Sequence, residues 1–197
     1  MKLKNQNLQH LGFIAFAFAG LAANSAQAAS NSWAANASGN WATAGSWTGG
    51  VNIPGATSGT TSTDIATFGF TLATSSKTVT VDANRNISGI TFTGNNTAFI
   101  YTLSGGNLLL TNAGVIQVDS GASSGTHTDT ISSAIAIQGD GGTAAFTNNG
   151  ANTRGLSFSG GVTGVSTGSN VTTLTLNGSS TSGNNFISGV IGDVLPH

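Results

Sequence analysis

The chain has 197 residues and a formal net charge of −1, with 6% charged residues, no glutamate and no cysteine. This composition excludes disulfides and thiol chemistry, and the lack of a basic patch argues against nucleic acid or an anionic membrane surface as a partner. Hydrophobic residues still make up 38% of the chain, which is enough for a packed core and is atypical of a disordered Gly/Ser/Thr-rich chain.

The first 28 residues have the pattern of a secretory signal peptide. Lys2 and Lys4 give a positive start, residues 11–23 are apolar, and Ala26 and Ala28 are small residues at the −3 and −1 positions of a cleavage site. The apolar run is shorter than the roughly 20 residues of a membrane-spanning helix. We therefore expect a signal-peptide helix cleaved after Ala28, a secreted or cell-surface location, and no membrane span in the mature chain.

Residues 29–69 contain all the tryptophans of the chain, Trp33, Trp41 and Trp47. A stack of β-coils needs an atypical end that covers its apolar core, and tryptophan covers the most area per residue. We therefore predict a Trp-rich N-terminal cap over residues 29–69. In a competing interpretation these tryptophans form a glycan-binding platform, because exposed indole faces stack on sugar rings. They are thus the candidate ligand-binding residues.

Residues 70–197 form the predicted β-strand repeat region. Apolar residues alternate there with Thr, Ser and Asn, and Gly-, Asn- and Ser-rich turns separate the runs. The clearest runs place their apolar residues at Val79/Val81, Ile90/Phe92, Phe99/Tyr101/Leu103, Leu108/Leu110 and Ile116/Val118, and further runs cover 129–137, 144–148, 155–163, 171–177 and 186–191. This spacing predicts an all-β fold. With three strands per coil of about 20 to 30 residues, the mature chain would hold about six stacked coils.

The order of short motifs carries a family resemblance. Trp47 to Gly50 spell Trp-x-Gly-Gly, Pro54 follows, Asp64 to Phe68 spell Asp-x-Ala-x-Phe, and strand-like elements recur at 173–176 and 188–191. This order resembles secreted proteins with autotransporter-associated β-strand repeats. The resemblance implies a passenger domain that coils as a right-handed parallel β-helix. It also implies an outer-membrane anchor downstream, so we expect this chain to be the N-terminal part of a passenger, truncated at its C-terminus.

The residues themselves leave the strand connectivity open. Loops of three to five residues join strands in a parallel β-helix and also in an antiparallel β-sandwich or barrel. The antiparallel β-sandwich is therefore the alternative fold.

One segment has the spelling of a hydrolase nucleophile. Residues 121–125 read G-x-S-x-G, and His127 and Asp129 follow closely. The chemistry requires the serine on a sharp turn between a strand and a helix, and no helix pattern follows this segment. We therefore assign no catalytic residue here.

Asp119, Asp129 and Asp140 are the only acidic cluster. If Asp119 and Asp140 lay one coil apart, stacked carboxylates could bind Ca²⁺, or the acidic residues could act with Arg85 or Arg154 in polysaccharide hydrolysis. Asp119 and Asp140 instead precede Ser-Gly and Gly-Gly, a setting in which aspartate bonds nearby backbone amides. We expect no cofactor and no metal ion, with Asp119 and Asp140 as the weak metal candidates.

The functional expectation is a non-enzymatic, secreted or cell-surface passenger segment. An extended β-helical scaffold of this kind would serve adhesion or self-association, with surface glycans or other copies of the chain as partners. The alternatives are a secreted polysaccharide-degrading β-helix enzyme and a glycan-binding module.

Overall fold

The computed structural model describes residues 29–94, 98–122, 126–151, 153–165, 170–181 and 184–194. The predicted signal peptide lies outside these ranges. Within them the protein is all-β, and no helix is long and apolar enough to cross a membrane. Two short 3₁₀ turns, Ala44–Ser46 and Thr48–Gly50, lie between the second and third strands.

Most of the strands are short, as the spacing of turn residues predicts. In chain order they are β1 Asn31–Ser32, β2 Gly39–Asn40, β3 Ile65–Phe68, β4 Lys77–Val81, β5 Arg85–Phe92, β6 Tyr101–Gly105, β7 Asn107–Val118, β8 Thr128–Ile131, β9 Ala134–Ile137, β10 Thr143–Asn148, β11 Gly155–Phe158, β12 Val162–Val165, β13 Thr173–Asn177, β14 Phe186–Ile187 and β15 Ile191–Val194.

All pairings between these strands are parallel, and each strand between the two ends pairs with strands of the turns above and below it. The predicted parallel β-helix is thus confirmed as a β-solenoid of about four turns. The antiparallel sandwich is wrong, since antiparallel pairing among the described residues is confined to two isolated bridges, Trp33 with Trp47 and Ala56 with Asn86.

The number of turns is lower than the six coils that the sequence suggested. Before β4 the described residues form three strands of two to four residues, two 3₁₀ turns and a long loop, so they add few complete coils. The turns also lengthen along the chain. A hydrogen bond between neighbouring turns spans 24 residues from Ser76 to Ile100, but 30 residues from Thr147 to Asn177.

The strands line three faces of the solenoid. Face 1 consists of β2, β4, β6, β8, β11 and β14. The long strands β5 and β7 each bend, at a register shift between Ile87 and Gly89 and at Ala113, whose φ is +62°. Their first halves therefore form face 2 with β9, β12 and β15, and their second halves form face 3 with β1, β3, β10 and β13.

Inward side chains of successive turns stack into apolar columns that form the core. On face 1 one column contains Val79, Leu103, Ile131 and Phe158, and on face 3 one contains Ala66, Ile90, Ile116 and Phe146. All eight side chains are buried. Each fully buried large aliphatic or aromatic side chain contributes on the order of 1.5 to 3 kcal/mol to folding.

Candidate functional site

The three tryptophans lie inside the core at its N-terminal end. Trp33, Trp41 and Trp47 are 1%, 0% and 1% exposed, and their rings surround Phe68 at centroid distances of 5.8 to 6.1 Å. Trp41 donates its indole N–H to the Pro54 carbonyl at 2.9 Å. Stacking on a sugar requires an open ring face, and none of these indoles has one in this structure. The ligand-binding interpretation of the three residues is corrected accordingly, because their side chains fill the core at this end.

The motif residues after the tryptophans fold a loop over the first turn. Asp64 Oδ2 accepts the backbone N–H of Gly55 at 2.9 Å, and Arg85 Nη1 donates to the Gly55 carbonyl at 2.7 Å. Gly55 has a φ of +74°, and a Cβ there would lie 2.1 Å from the Asn86 carbonyl oxygen. The Asn86 N–H in turn donates to the Ala56 carbonyl at 2.8 Å. Asp64 and Arg85 therefore have structural partners.

The two weak metal candidates lie at different corners. Asp119 follows the second half of β7, and Asp140 precedes β10, the strand that stacks on that half. The residue above Asp119 is Asn149, whose N–H donates to the Val118 carbonyl. Asp119 and Asp140 therefore do not stack one coil apart, so the condition for a shared Ca²⁺ site between them is not met.

Each of these aspartates accepts a hydrogen bond. Asp119 Oδ1 accepts the N–H of Ser120 at 2.7 Å, as expected for a turn aspartate. Asp140 Oδ2 accepts the side-chain amide of Asn170 at 2.9 Å. No group of three His, Cys, Asp or Glu that could hold a metal ion occurs in the described part of the chain.

His127 and Asp129, which follow the G-x-S-x-G motif, do not form a hydrogen-bonded pair. Residues 123–125 lie outside the described residues, and His127 and Asp129 flank the start of β8. Both ring nitrogens of His127 are buried and have no hydrogen-bond partner among the described residues. Asp129 therefore does not orient His127 as a catalytic triad requires.

Asp129 instead forms a fully buried ion pair with Arg154. Arg154 donates from Nε and Nη2 to Asp129 Oδ2 at 3.1 and 2.5 Å, and both side chains are 0% exposed. Arg154 Nη1 also donates to the Gly94 carbonyl, and Asp129 Oδ1 accepts the backbone N–H of Tyr101 at 2.9 Å. The sequence contained one sign that Asp129 is buried. In β8, Asp129 alternates in phase with Ile131, which points into the core.

Two neighbouring groups have perturbed pKa values. Burial raises the pKa of Tyr101, and the Asp129 carboxylate adds to this, whereas Arg154 opposes it. Burial lowers the pKa of His127, and Asp129 partly opposes that effect. Both groups are enclosed by the turns of the solenoid, and burial in its core is the main cause of both pKa shifts.

The C-terminal end of the solenoid has an open cavity of about 450 Å³. Its lining includes Phe146 and Phe158, whose rings stack at 3.9 Å with an interplanar angle of 10°, and the exposed residues Leu176, Phe186 and Ile191. Sequence reasoning missed this site. The alternating pattern of 171–177 matches that of the buried strands, and alternation does not show whether another layer covers a strand.

The lining of this cavity is therefore largely apolar and includes no acid–base pair. Comparisons of the chain with protein-family models, with curated proteins and with solved structures gave no match. The functional argument consequently depends on the surfaces of the solenoid.

Proposed function

We propose that the chain is a non-enzymatic passenger segment, secreted or displayed at the cell surface, that acts as a β-helical scaffold for adhesion or self-association. The observation that carries this proposal is a column of hydroxyl side chains that runs along face 1. Its members on successive turns are Thr78, Thr102, Thr130 and Ser157. Neighbouring rungs are about 4.8 Å apart, so hydrogen-bonding groups repeat at a fixed interval.

Face 3 carries a second outward polar column. Its members are Ser32, Thr67, Thr91, Gln117, Thr147 and Asn177. Gln117 Nε2 donates to Thr91 Oγ1 at 3.3 Å, and Thr147 Oγ1 donates to Asn177 Oδ1, so neighbouring rungs also hydrogen-bond to each other. Uncharged hydroxyl and amide groups suit glycan hydroxyls or a second β-surface, because they donate and accept without charge repulsion.

The partners of the aspartates support a non-enzymatic role. Asp129 is fully buried against Arg154, Asp82 pairs with Arg85, and Asp64 accepts a backbone N–H. Glycoside hydrolysis requires two carboxyl groups that flank a substrate at about 5 to 9.5 Å from each other. These three carboxylates have structural partners.

Adhesion is tested by a substitution in the middle of the hydroxyl column. We expect Thr102→Lys to weaken binding to glycans, or association with other copies, because a long cation disrupts the flat uncharged face. The matched control is Thr57→Lys in the exposed loop of the cap region, which should bind as the parent does. Binding is measured on a glycan panel and association by analytical ultracentrifugation. Equal binding or association by both variants would contradict a role of face 1 in adhesion or self-association.

The enzymatic alternative is tested by assaying turnover on a panel of polysaccharides. We expect no turnover by the parent chain. Turnover that disappears in the surface double variant Asp119→Asn/Asp140→Asn would overturn the non-enzymatic proposal.

N-terminal sequencing of the exported protein tests secretion, with Ala29 as the expected first residue.

A further inference from the structure

His127 is a titratable side chain that the solenoid buries without a hydrogen bond. It precedes β8 and is 5% exposed, and neither ring nitrogen has a partner among the described residues. Burial lowers its pKa, so the folded chain favours the neutral ring. A buried polar group without a partner is rare in native proteins, so its surroundings must explain it.

The charged groups beside His127 are the members of the buried ion pair. Asp129 lies two residues further along, on the same inward side of β8. Gly155 pairs with Thr128, and its N–H donates to the His127 carbonyl at 2.9 Å. Arg154 therefore lies beside His127 on the next turn, where neighbouring strands are about 4.8 Å apart.

Two further titratable groups are buried on the preceding turns of face 1. Lys77 pairs with Tyr101, and its amine donates to Ser75 Oγ at 2.8 Å. Tyr101 is neutral at physiological pH, because burial raises its pKa. Among the described residues, Asp129 is the one carboxylate that raises the pKa of His127, against the larger effect of burial.

The Asp129 carboxylate is already engaged by other donors. Its Oδ1 accepts the Tyr101 N–H, and its Oδ2 accepts both Nε and Nη2 of Arg154. A proton on His127 adds a second N–H donor and a second cation beside this one carboxylate. Buried like charges repel strongly because water does not screen them. Protonated His127 therefore competes with Arg154 for Asp129, or leaves the core for water.

We propose that acid opens the pairing of β8 with β11 on face 1, because protonation of His127 breaks the Asp129–Arg154 ion pair. This pair joins β8 to the residue before β11. Arg154 also donates to the Gly94 carbonyl, 60 residues earlier, so it connects three successive turns. Loss of the pair removes these connections together.

The lengths of the strands confine the opening to this part of face 1. β8 and β11 have four residues each, whereas β5 has eight and β7 has twelve. Local opening costs least where a segment has few backbone hydrogen bonds and buried contacts. We therefore expect β8 and β11 to open in acid while β5 and β7 stay closed.

The opening would regulate adhesion, a consequence that rests on the proposed function. Thr130 of β8 and Ser157 of β11 are neighbours in the hydroxyl column of face 1. Separation of the two strands interrupts the fixed interval between these hydroxyl groups. Binding through face 1 should therefore weaken at pH 5 in the parent chain, and should be independent of pH between 7.5 and 5 in His127→Leu.

Hydrogen exchange followed by mass spectrometry tests the switch without any ligand. Exchange of the full chain is measured at pH 7.5 and 5, and each rate is divided by that of the urea-unfolded chain at the same pH. We expect protection of β8 and β11 to fall by up to about tenfold for each pH unit below about 6.5, and protection of β5 and β7 to be kept. Equal protection at both pH values, or an equal loss in all strands, would overturn the inference.

Variants assign the effect to His127. His127→Leu cannot bind the proton, so protection of its β8 and β11 should be the same at pH 7.5 and 5. His127→Gln is a second neutral replacement, used if the leucine variant does not fold. The matched control Asp119→Asn removes a surface carboxylate and should keep the acid-induced opening of the parent. Opening in a folded His127 variant as large as that of the parent would overturn the switch.

The two proposals fail in different experiments. No binding or association by the parent at pH 7.5 overturns adhesion and self-association, and hydrogen exchange still decides whether acid opens β8. Binding through face 1 that stays unchanged at pH 5, while β8 and β11 lose protection, overturns the regulation of adhesion by this switch.

Discussion

Arg154 and Asp129 form an ion pair inside the solenoid, with both side chains 0% exposed. The pair also bonds to the backbone of earlier turns, through the Gly94 carbonyl 60 residues before Arg154 and the Tyr101 N–H 28 residues before Asp129. It therefore connects turns that are distant in sequence. Removing one partner of a buried ion pair is costly because the other charge stays desolvated, whereas replacing both by apolar groups can be nearly neutral.

The first prediction concerns this pair. Asp129→Leu leaves the Arg154 guanidinium buried without its carboxylate, so we expect a loss of about 3 to 5 kcal/mol of unfolding free energy in urea. The double variant Asp129→Leu/Arg154→Met should lose less than either single variant. Asp119→Asn serves as the surface control and should stay within about 0.5 kcal/mol of the parent. A double variant whose loss equals the sum of the two single losses would contradict the coupling.

Alternation predicted which residues face inward, and the structure confirms this for Val79, Ile90, Leu103 and Ile116. The same alternation could not show that Asp129 would be paired, because the partner Arg154 comes from another turn and sequence spacing does not identify it. Ala113 shows a second limit. A positive φ usually requires glycine, so an alanine gave no sign that residues 107–118 form one bent strand.

Coverage by a neighbouring layer is a third property that the sequence pattern does not contain. The runs 144–148 and 171–177 have similar alternation, yet Phe146 is 4% exposed and Leu176 is 61% exposed. Periodicity identifies the face of a strand that is apolar. Burial depends on what stacks on that face, which only the assembled turns reveal. The tryptophans illustrate the same point, since their sequence fitted an exposed platform as well as a buried cap.

The second prediction is a pH dependence caused by His127. Burial lowers the pKa of His127 in the folded state, while in the unfolded chain it stays near 6.5. As the pH falls below about 6.5 the unfolded chain binds a proton more readily than the folded chain, so stability decreases. We expect His127→Leu to lose less stability than the parent between about pH 7.5 and 5 in urea unfolding. Parallel pH profiles for the two chains would contradict this prediction.

The third prediction uses Tyr101, the only tyrosine of the chain. Burial raises its pKa, and its hydroxyl donates to the Phe70 carbonyl at 3.1 Å. The unfolded chain ionises near pH 10, so stability should decrease as the pH rises above about 10. Absorbance titration of the phenolate should show no ionisation near pH 10 in the folded protein, and normal ionisation in urea. Phenolate formation near pH 10 while circular dichroism stays native would contradict it.

The fourth prediction separates the tryptophans by their hydrogen bonds. Trp47 Nε1 donates to the Trp41 carbonyl at 2.7 Å, whereas Trp33 Nε1 is buried with no partner among the described residues. Replacement by phenylalanine removes a similar apolar area at both positions, but only Trp47→Phe leaves a backbone carbonyl without its donor. We therefore expect Trp47→Phe to cost about 1 kcal/mol more unfolding free energy than Trp33→Phe. Urea unfolding followed by circular dichroism measures both, and equal costs would show that the Trp47 hydrogen bond does not contribute to stability.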